Sequence, residues 1–292
     1  MIVDLAATPD DYAKWDAYCD MHKDAWWWHR TGWIKYSAAC GVQCDNFSFY
    51  VEQNGKIVGI CPLILENGHL KFGGNPSPAP IACNAEAAAE MWAHIKTVME
   101  KNNALEYWIR GKPIFNDGVW SDLSWRTQVI RVKEHDSIKH LRKSYRNLAL
   151  STKYNVTKST DVRDVKLLQA MHIKQAGRIT RPQQTWDLMA AWISSGYAYT
   201  MIATNSDGDC VGAIYIYKYK GREYYGHAAT IEQNVNHKLL YEAIRTSDSD
   251  SFELGWQGHA ENKKEENIEF FLRGFGGIAE PFVVSRCSRL CD

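Results

Sequence analysis

Apolar residues along this chain recur at two periods, near 3.6 residues in some stretches and at two in others, and the alternation of these stretches predicts a mixed sheet flanked by helices. Helical spacing runs over Asp10 to Met21, Thr31 to Gly41, Glu86 to Lys101, Val162 to Ala176, Gln183 to Ser195 and Asn236 to Arg245. Strand alternation marks residues 49 to 65, broken by Asn54-Gly55, and residues 199 to 217, broken by Asp207-Gly208. Such pairs between alternating runs predict hairpins. Further strands are expected at Leu105 to Ile109 and Phe252 to Trp256. Each half then reads helix, helix, hairpin, another strand, helix, strand. Gly59 and Gly212 hold equivalent places in an Asn/Asp-Gly-x-x-Val-Gly pattern, which points to internal duplication.

Near the carboxyl end, Ile268, Phe271, Leu272 and Phe275 fall on one helix face, and Gly276 and Gly277 are expected to end that helix before a strand from Ile278 to Val284. Residues 139 to 153 read as one basic amphipathic helix joining the halves, with Leu141, Tyr145 and Leu148 on its apolar face. Domains are therefore expected at 1–135 and 136–292. The proline-rich run from Gly73 to Pro80 is expected to be a loop.

Composition narrows the function classes. Lys plus Arg and Asp plus Glu each total 34, so no global basic surplus marks a nucleic-acid coat or a membrane-surface protein. The amino terminus lacks a basic, apolar leader pattern, and no apolar run reaches the ~18 residues of a membrane span; a cytoplasmic protein is expected. Cys40 and Cys44, and Cys287 and Cys291, have half-site spacing but no nearby His pair, so neither a metal nor a disulfide framework is expected. No Gly-x-Ser-x-Gly elbow, GxGxxG or Gly-x4-Gly-Lys-Ser/Thr loop is present. The twelve tryptophans, clustered at Trp26, Trp27, Trp28 and Trp33, read first as braces of a core.

Together, the repeated hairpin, the Leu141-Arg-Lys-Ser-Tyr-Arg-Asn147 run and the ending FELG…FFLRGFGG resemble the FemAB-like, tandem-GNAT acyltransferases over nearly the whole chain. The resemblance implies two GNAT-like domains, the first serving support and acceptor, the second carrying the chemistry. It implies transfer of an acyl or aminoacyl group to an amine of a nucleotide-linked sugar, cell-wall or surface-glycan intermediate. Acyl-CoA and aminoacyl-tRNA are the alternative donors, and no permanently bound cofactor is implied. Two departures stand out. Leu272 occupies the place where the aminoacyl branch carries lysine, with Arg273 beside it. The segment between Thr230 and Leu240 has no glycine where GNAT enzymes usually cradle the pyrophosphate of coenzyme A.

Acyl transfer to an amine needs a proton acceptor and groups that orient the carbonyl. His227, on the strand where the resembling fold parts its sheet, is a candidate base or a hydrogen-bonded core histidine. Glu253 is a second candidate base or an anchor, and Arg273 a candidate electrostatic stabiliser. Arg178 and Arg181, in the loop between two helices, suit phosphate or carboxylate groups of an acceptor, or are solvated loop charges. Tyr215, Tyr217 and Tyr225, with Trp256, complete the expected substrate wall; Tyr215 and Tyr217 must share a face. Two other readings stay open: a non-catalytic binding module, and a nucleic-acid-associated acyltransferase that uses the 139–153 segment, with tRNA as its partner.

Overall fold

The computed structural model describes residues 1–5, 8–40, 44–73, 80–115, 119–135, 137–257, 260 and 262–288. Most of the expected 73–80 loop, and Cys291, lie outside them. The chain divides into two compact units, Met1–Ser124 with Phe282–Asp292, and Trp125–Pro281.

The first unit begins with β1 (Ile2–Asp4), α1 (Pro9–Met21), α2 (Thr31–Cys40) and β2 (Cys44–Asn46). It continues through β3 (Phe49–Gln53), β4 (Lys56–Cys61), β5 (Ile64–Glu66), β6 (His69–Lys71), β7 (Ile81–Ala82), α3 (Ala85–Lys101) and β8 (Glu106–Arg110). Asn54 and Gly55 both take positive φ, 54° and 73°, as the tight β3–β4 turn requires. Strands β1, β3, β4 and β7 form one ladder in that order. The face of α3 carrying Met91, Trp92 and Ile95 packs on Phe49, Val51 and Cys61. A Cβ on Gly59 would strike Met91, so this glycine lets α3 close on β4. Trp26, Trp27 and Trp28 are each at most 6% exposed, so these members of the tryptophan cluster are interior, while Trp33 is half-buried.

The second unit is built from β9 (Ser121–Arg131, from Trp125 onward), α4 (Ser137–His140), α5 (Lys143–Ala149), β10 (Asn155–Ser159), α6 (Arg163–Ala176) and α7 (Gln183–Ser194). Then come β11 (Ala198–Thr204), β12 (Cys210–Tyr219), β13 (Arg222–Thr230), α8 (Val235–Arg245), β14 (Ser251–Gln257), α9 (Lys263–Arg273) and β15 (Ile278–Ser288). Only Ile278–Pro281 of β15 belong to this unit; from Phe282 onward the strand is part of the first unit, where Val284–Ser288 pair with β8. The sheet runs β10-β11-β12-β13-β14-β9, and only the β13–β14 pair is parallel.

Three expectations are corrected. The single helix over 139–153 is two short helices, because the Arg142 N–H donates to the Gly274 carbonyl at 2.8 Å instead of continuing a helical ladder. The last helix ends at Arg273, ahead of the glycine pair. Gly276 and Gly277 make the following turn at φ +77° and +88°. Its buried stripe is also shorter: Leu272 and Phe275 are core, whereas Ile268 is 46% exposed. No helix among the described residues is long and apolar enough to cross a membrane.

Candidate active site

The site grows from an irregular hairpin. In the β12–β13 ladder Tyr217 faces Tyr224, Ile216 faces Tyr225, and Tyr215 faces His227, leaving Gly226 as an extra, unpaired residue. This is a β-bulge. Cross-strand partners share a face, so Tyr215, Tyr217, Tyr224 and His227 lie on one side of the sheet and Tyr225 on the other. A side chain at 226 would run into the Tyr217 ring, which is why glycine stands there. β14 has a second irregularity, with Leu254 unpaired against β9 and Gly255 at φ +102°.

The two bulges flank an opening. β13 and β14 pair only through Arg222–Ser251, Glu223–Phe252 and Tyr224–Glu253. Beyond Tyr224 lies a cavity of about 270 Å³, lined by Tyr224, Tyr225, Gly226, Leu254, Gly255 and Leu272 among others.

On the other face His227 is enclosed by polar and aromatic partners. Its Nε2 and the Tyr217 hydroxyl are hydrogen-bonded at 2.9 Å. Arg181 Nη1 lies 3.3 Å from both ring nitrogens, a symmetry that sets the guanidinium across the imidazole instead of on one lone pair. Arg181 Nη2 is 3.4 Å from His172 Nε2, while Thr180 Oγ1 is 3.0 Å from His172 Nδ1. The guanidinium also covers the Trp186 ring, 4.7 Å from its centroid. Burial, the Arg181 charge and His172 hold His227 well below the ordinary histidine range; burial, Arg181 and Lys264 lower His172. Both imidazoles are therefore neutral near pH 7, able to accept a proton but not to donate a second one.

The remaining sequence candidates are dispersed. Tyr215 is fully buried and donates to the Met189 carbonyl at 2.8 Å, so its hydroxyl is engaged by α7. Tyr225 packs against the opposite core, where burial raises its phenol. Glu253, beside Tyr224 in register, accepts from Thr127 Oγ1 at 2.6 Å. Arg273 is exposed in the last turn of α9, and Arg178 is exposed just past the left-handed Gly177. Trp256 lies on β14, and its side chain is outside the described residues. His172, Thr180 and Trp186 were not anticipated. They gather around Arg181, which reaches His227 because the α6–α7 loop folds back over β13, and no spacing in the sequence records that.

A second cavity, about 340 Å³, opens at the start of α8 between Gln175, Thr230, Asn236, His237 and Phe271. Asn234 enters the helix at φ +66°, and Asn236 Oδ1 is buried with no hydrogen-bond partner among the described residues. Glu232, at the rim, is held by Lys153 and Tyr154 at 2.6 and 2.9 Å. The first-turn amides of α8 can receive an anion there, although the loop before them offers side chains in place of glycine.

Neither a family model nor a curated protein matches the sequence. Solved structures do match over the whole length. FemX superposes with a TM-score of 0.63 at 12% identity, covering 97% of this chain and 96% of its own. A tandem GNAT protein from the clavulanic acid biosynthesis pathway gives 0.54 at 14%, covering 99% and 98%. L-PGS from Bacillus licheniformis gives 0.61 at 9%, covering 85% of each chain. These likenesses show the fold: the chain has the mixed α/β tandem-GNAT fold seen in FemX and in the tandem GNAT protein.

Proposed function

We propose that the chain transfers an acyl or aminoacyl group to an amine carried by a nucleotide-linked sugar, a cell-wall precursor or a surface-glycan intermediate. The observation that carries this reading is a neutral, tyrosine-bonded histidine on the strand that parts from its parallel neighbour. The donor carbonyl enters between β13 and β14, where the strand edges beyond Tyr224 and Glu253 leave the ladder and their N–H groups can polarise its oxygen. The amine nitrogen attacks the carbonyl carbon, its proton passes to His227, the C–N bond forms, and the C–S or C–O bond to the donor breaks. The leaving thiolate or alkoxide then takes up the proton that His227 accepted, which returns the imidazole to its neutral form. Acyl-CoA and aminoacyl-tRNA are both donors of the right chemistry, and the α8 amides are the place for a donor phosphate.

One observation favours a non-catalytic binding module. Leu272, in the place of the lysine implied by the resemblance, is 4% exposed and belongs to the core with Tyr145 and Phe275. Incubation with labelled acetyl-CoA or charged tRNA and amino-sugar acceptors separates the two readings. An amide product, falling by about 100-fold in His227→Ala, supports transfer. If no donor gives product, and acceptor binding is unchanged in His227→Ala, the module reading replaces it.

A further inference from the structure

The loop between α6 and α7 is fastened by consecutive side chains: Thr180 to His172, then Arg181 to both His172 and His227. The Arg181 guanidinium is confined on three sides, by Trp186 beneath it and an imidazole at each Nη atom. Its fork is directed at the protein's own rings. We infer that Arg181 acts through His227 and not on a substrate: it is a positioning residue, clamped by His172 and Trp186, that fixes the imidazole against Tyr217.

This inference rests on the reading of His227 as proton acceptor, and the physics of the contact extends it. A guanidinium stays charged throughout the accessible pH range. Protonating His227 or His172 would set a second positive charge within 3.4 Å of it, in a half-buried site where solvent screens the pair only in part. The other groups facing His227 do not offset that repulsion: Tyr215 and Tyr217 from β12, Tyr224 from its own strand and Trp186 from α7 are neutral, and Lys264 adds positive charge toward His172. Glu253, in register with Tyr224, is the carboxylate on the neighbouring strand, held by Thr127. Arg181 thus keeps the base deprotonated in advance and stops the ring from turning away from the Tyr217 hydroxyl. His172 is the complementary anchor, fixed by Thr180, that keeps the fork from swinging out to solvent.

The test uses the full chain labelled at histidine ring carbons and titrated by NMR, alongside rate profiles against pH. In Arg181→Met, which keeps an apolar stem on Trp186 but no charge, the His227 midpoint is expected to rise, while burial still holds it below the ordinary value. The acid limb of kcat/KM rises with it, and kcat falls by about tenfold or more while the acceptor KM changes less than about twofold. Arg181→Lys keeps the charge and loses the fork, so the midpoint stays low while kcat still falls. An unmoved His227 midpoint in Arg181→Met, with a raised acceptor KM, makes Arg181 a substrate ligand and overturns the inference. Should Arg181→Met fail to fold, Arg181→Gln removes the same charge and gives the same reading, an upward His227 midpoint supporting the inference and an unmoved one sinking it. The NMR arm needs no turnover, so it decides the role of Arg181 even where the transfer reaction itself is not found.

Discussion

Tyr217 holds His227 through its hydroxyl and fills, with its ring, the space a side chain at 226 would need. Gly226→Ala therefore forces either the ring or the strand to move, and is expected to destabilise the second unit by about 1–3 kcal/mol. Urea denaturation reads that loss directly, and the transfer rate should fall with it because the Tyr217–His227 bond is broken by the same displacement. At this scale the strand position of His227 and the shared face of Tyr215 and Tyr217 were legible, since strand alternation is local. It did not reveal His172 or Trp186, which reach the imidazole through a loop closure, and it credited Arg273 with nearness to the chemistry that an exposed side chain at the end of α9 does not display. Arg181 was visible as a charge in a loop, but its two imidazole neighbours were not.

Helix ends can be read with similar economy. Asn262 caps α9: its Oδ1 accepts from the Glu265 N–H at 3.1 Å, and its Nδ2 donates to Glu265 Oε1 at 2.8 Å. Asn262→Ala is expected to cost about 1 kcal/mol, measurable as a lower urea midpoint with an unchanged slope. Because α9 contributes Glu265 from its first turn to the cavity wall, fraying that turn should also weaken binding of the proposed acyl donor, which a thermal-shift titration would register. The helices with long apolar periods, α3, α6, α7 and α8, were legible almost to the residue. The break between α4 and α5 was not, because it depends on a hydrogen bond to Gly274, more than a hundred residues away. Strand β9 was missed as well. Its residues Leu123, Trp125, Thr127 and Val129 do alternate with Asp122, Ser124, Arg126 and Gln128, so the period-two signal was there to be read.

For the molecule as a whole, acid should act in two stages. Burial lowers His94 in the first unit and His172, His227 and His237 in the second. A histidine whose folded pKa lies below its unfolded value leaves the unfolded chain holding more protons, so stability is full above about 6.5 and declines as pH falls below it. The carboxylates follow at lower pH. Burial pushes Glu106 up, but the Trp108 indole, Arg286 and His69 outweigh it and hold the group below its usual range, so its stabilisation is present above about 4.5 and lost on further acidification. Denaturant titrations in a pH series should show the first decline between pH 7 and 5, and His227→Gln should flatten it by up to about 1.4 kcal/mol per pH unit, the limit for one proton. The mixed α/β class was legible because it follows from periodicity; the opening in the sheet was expected only through the resemblance, since it arises from two unpaired residues. One of these, Gly226, separates shape from chemistry. Without it the ladder would still match Tyr224 with Tyr217 and His227 with Tyr215, so each reactive group would keep its address while the strand ran straight. Deleting a single glycine could thus yield a chain with every reacting side chain in place and a closed door, a way to silence the site that no survey of its functional groups would detect.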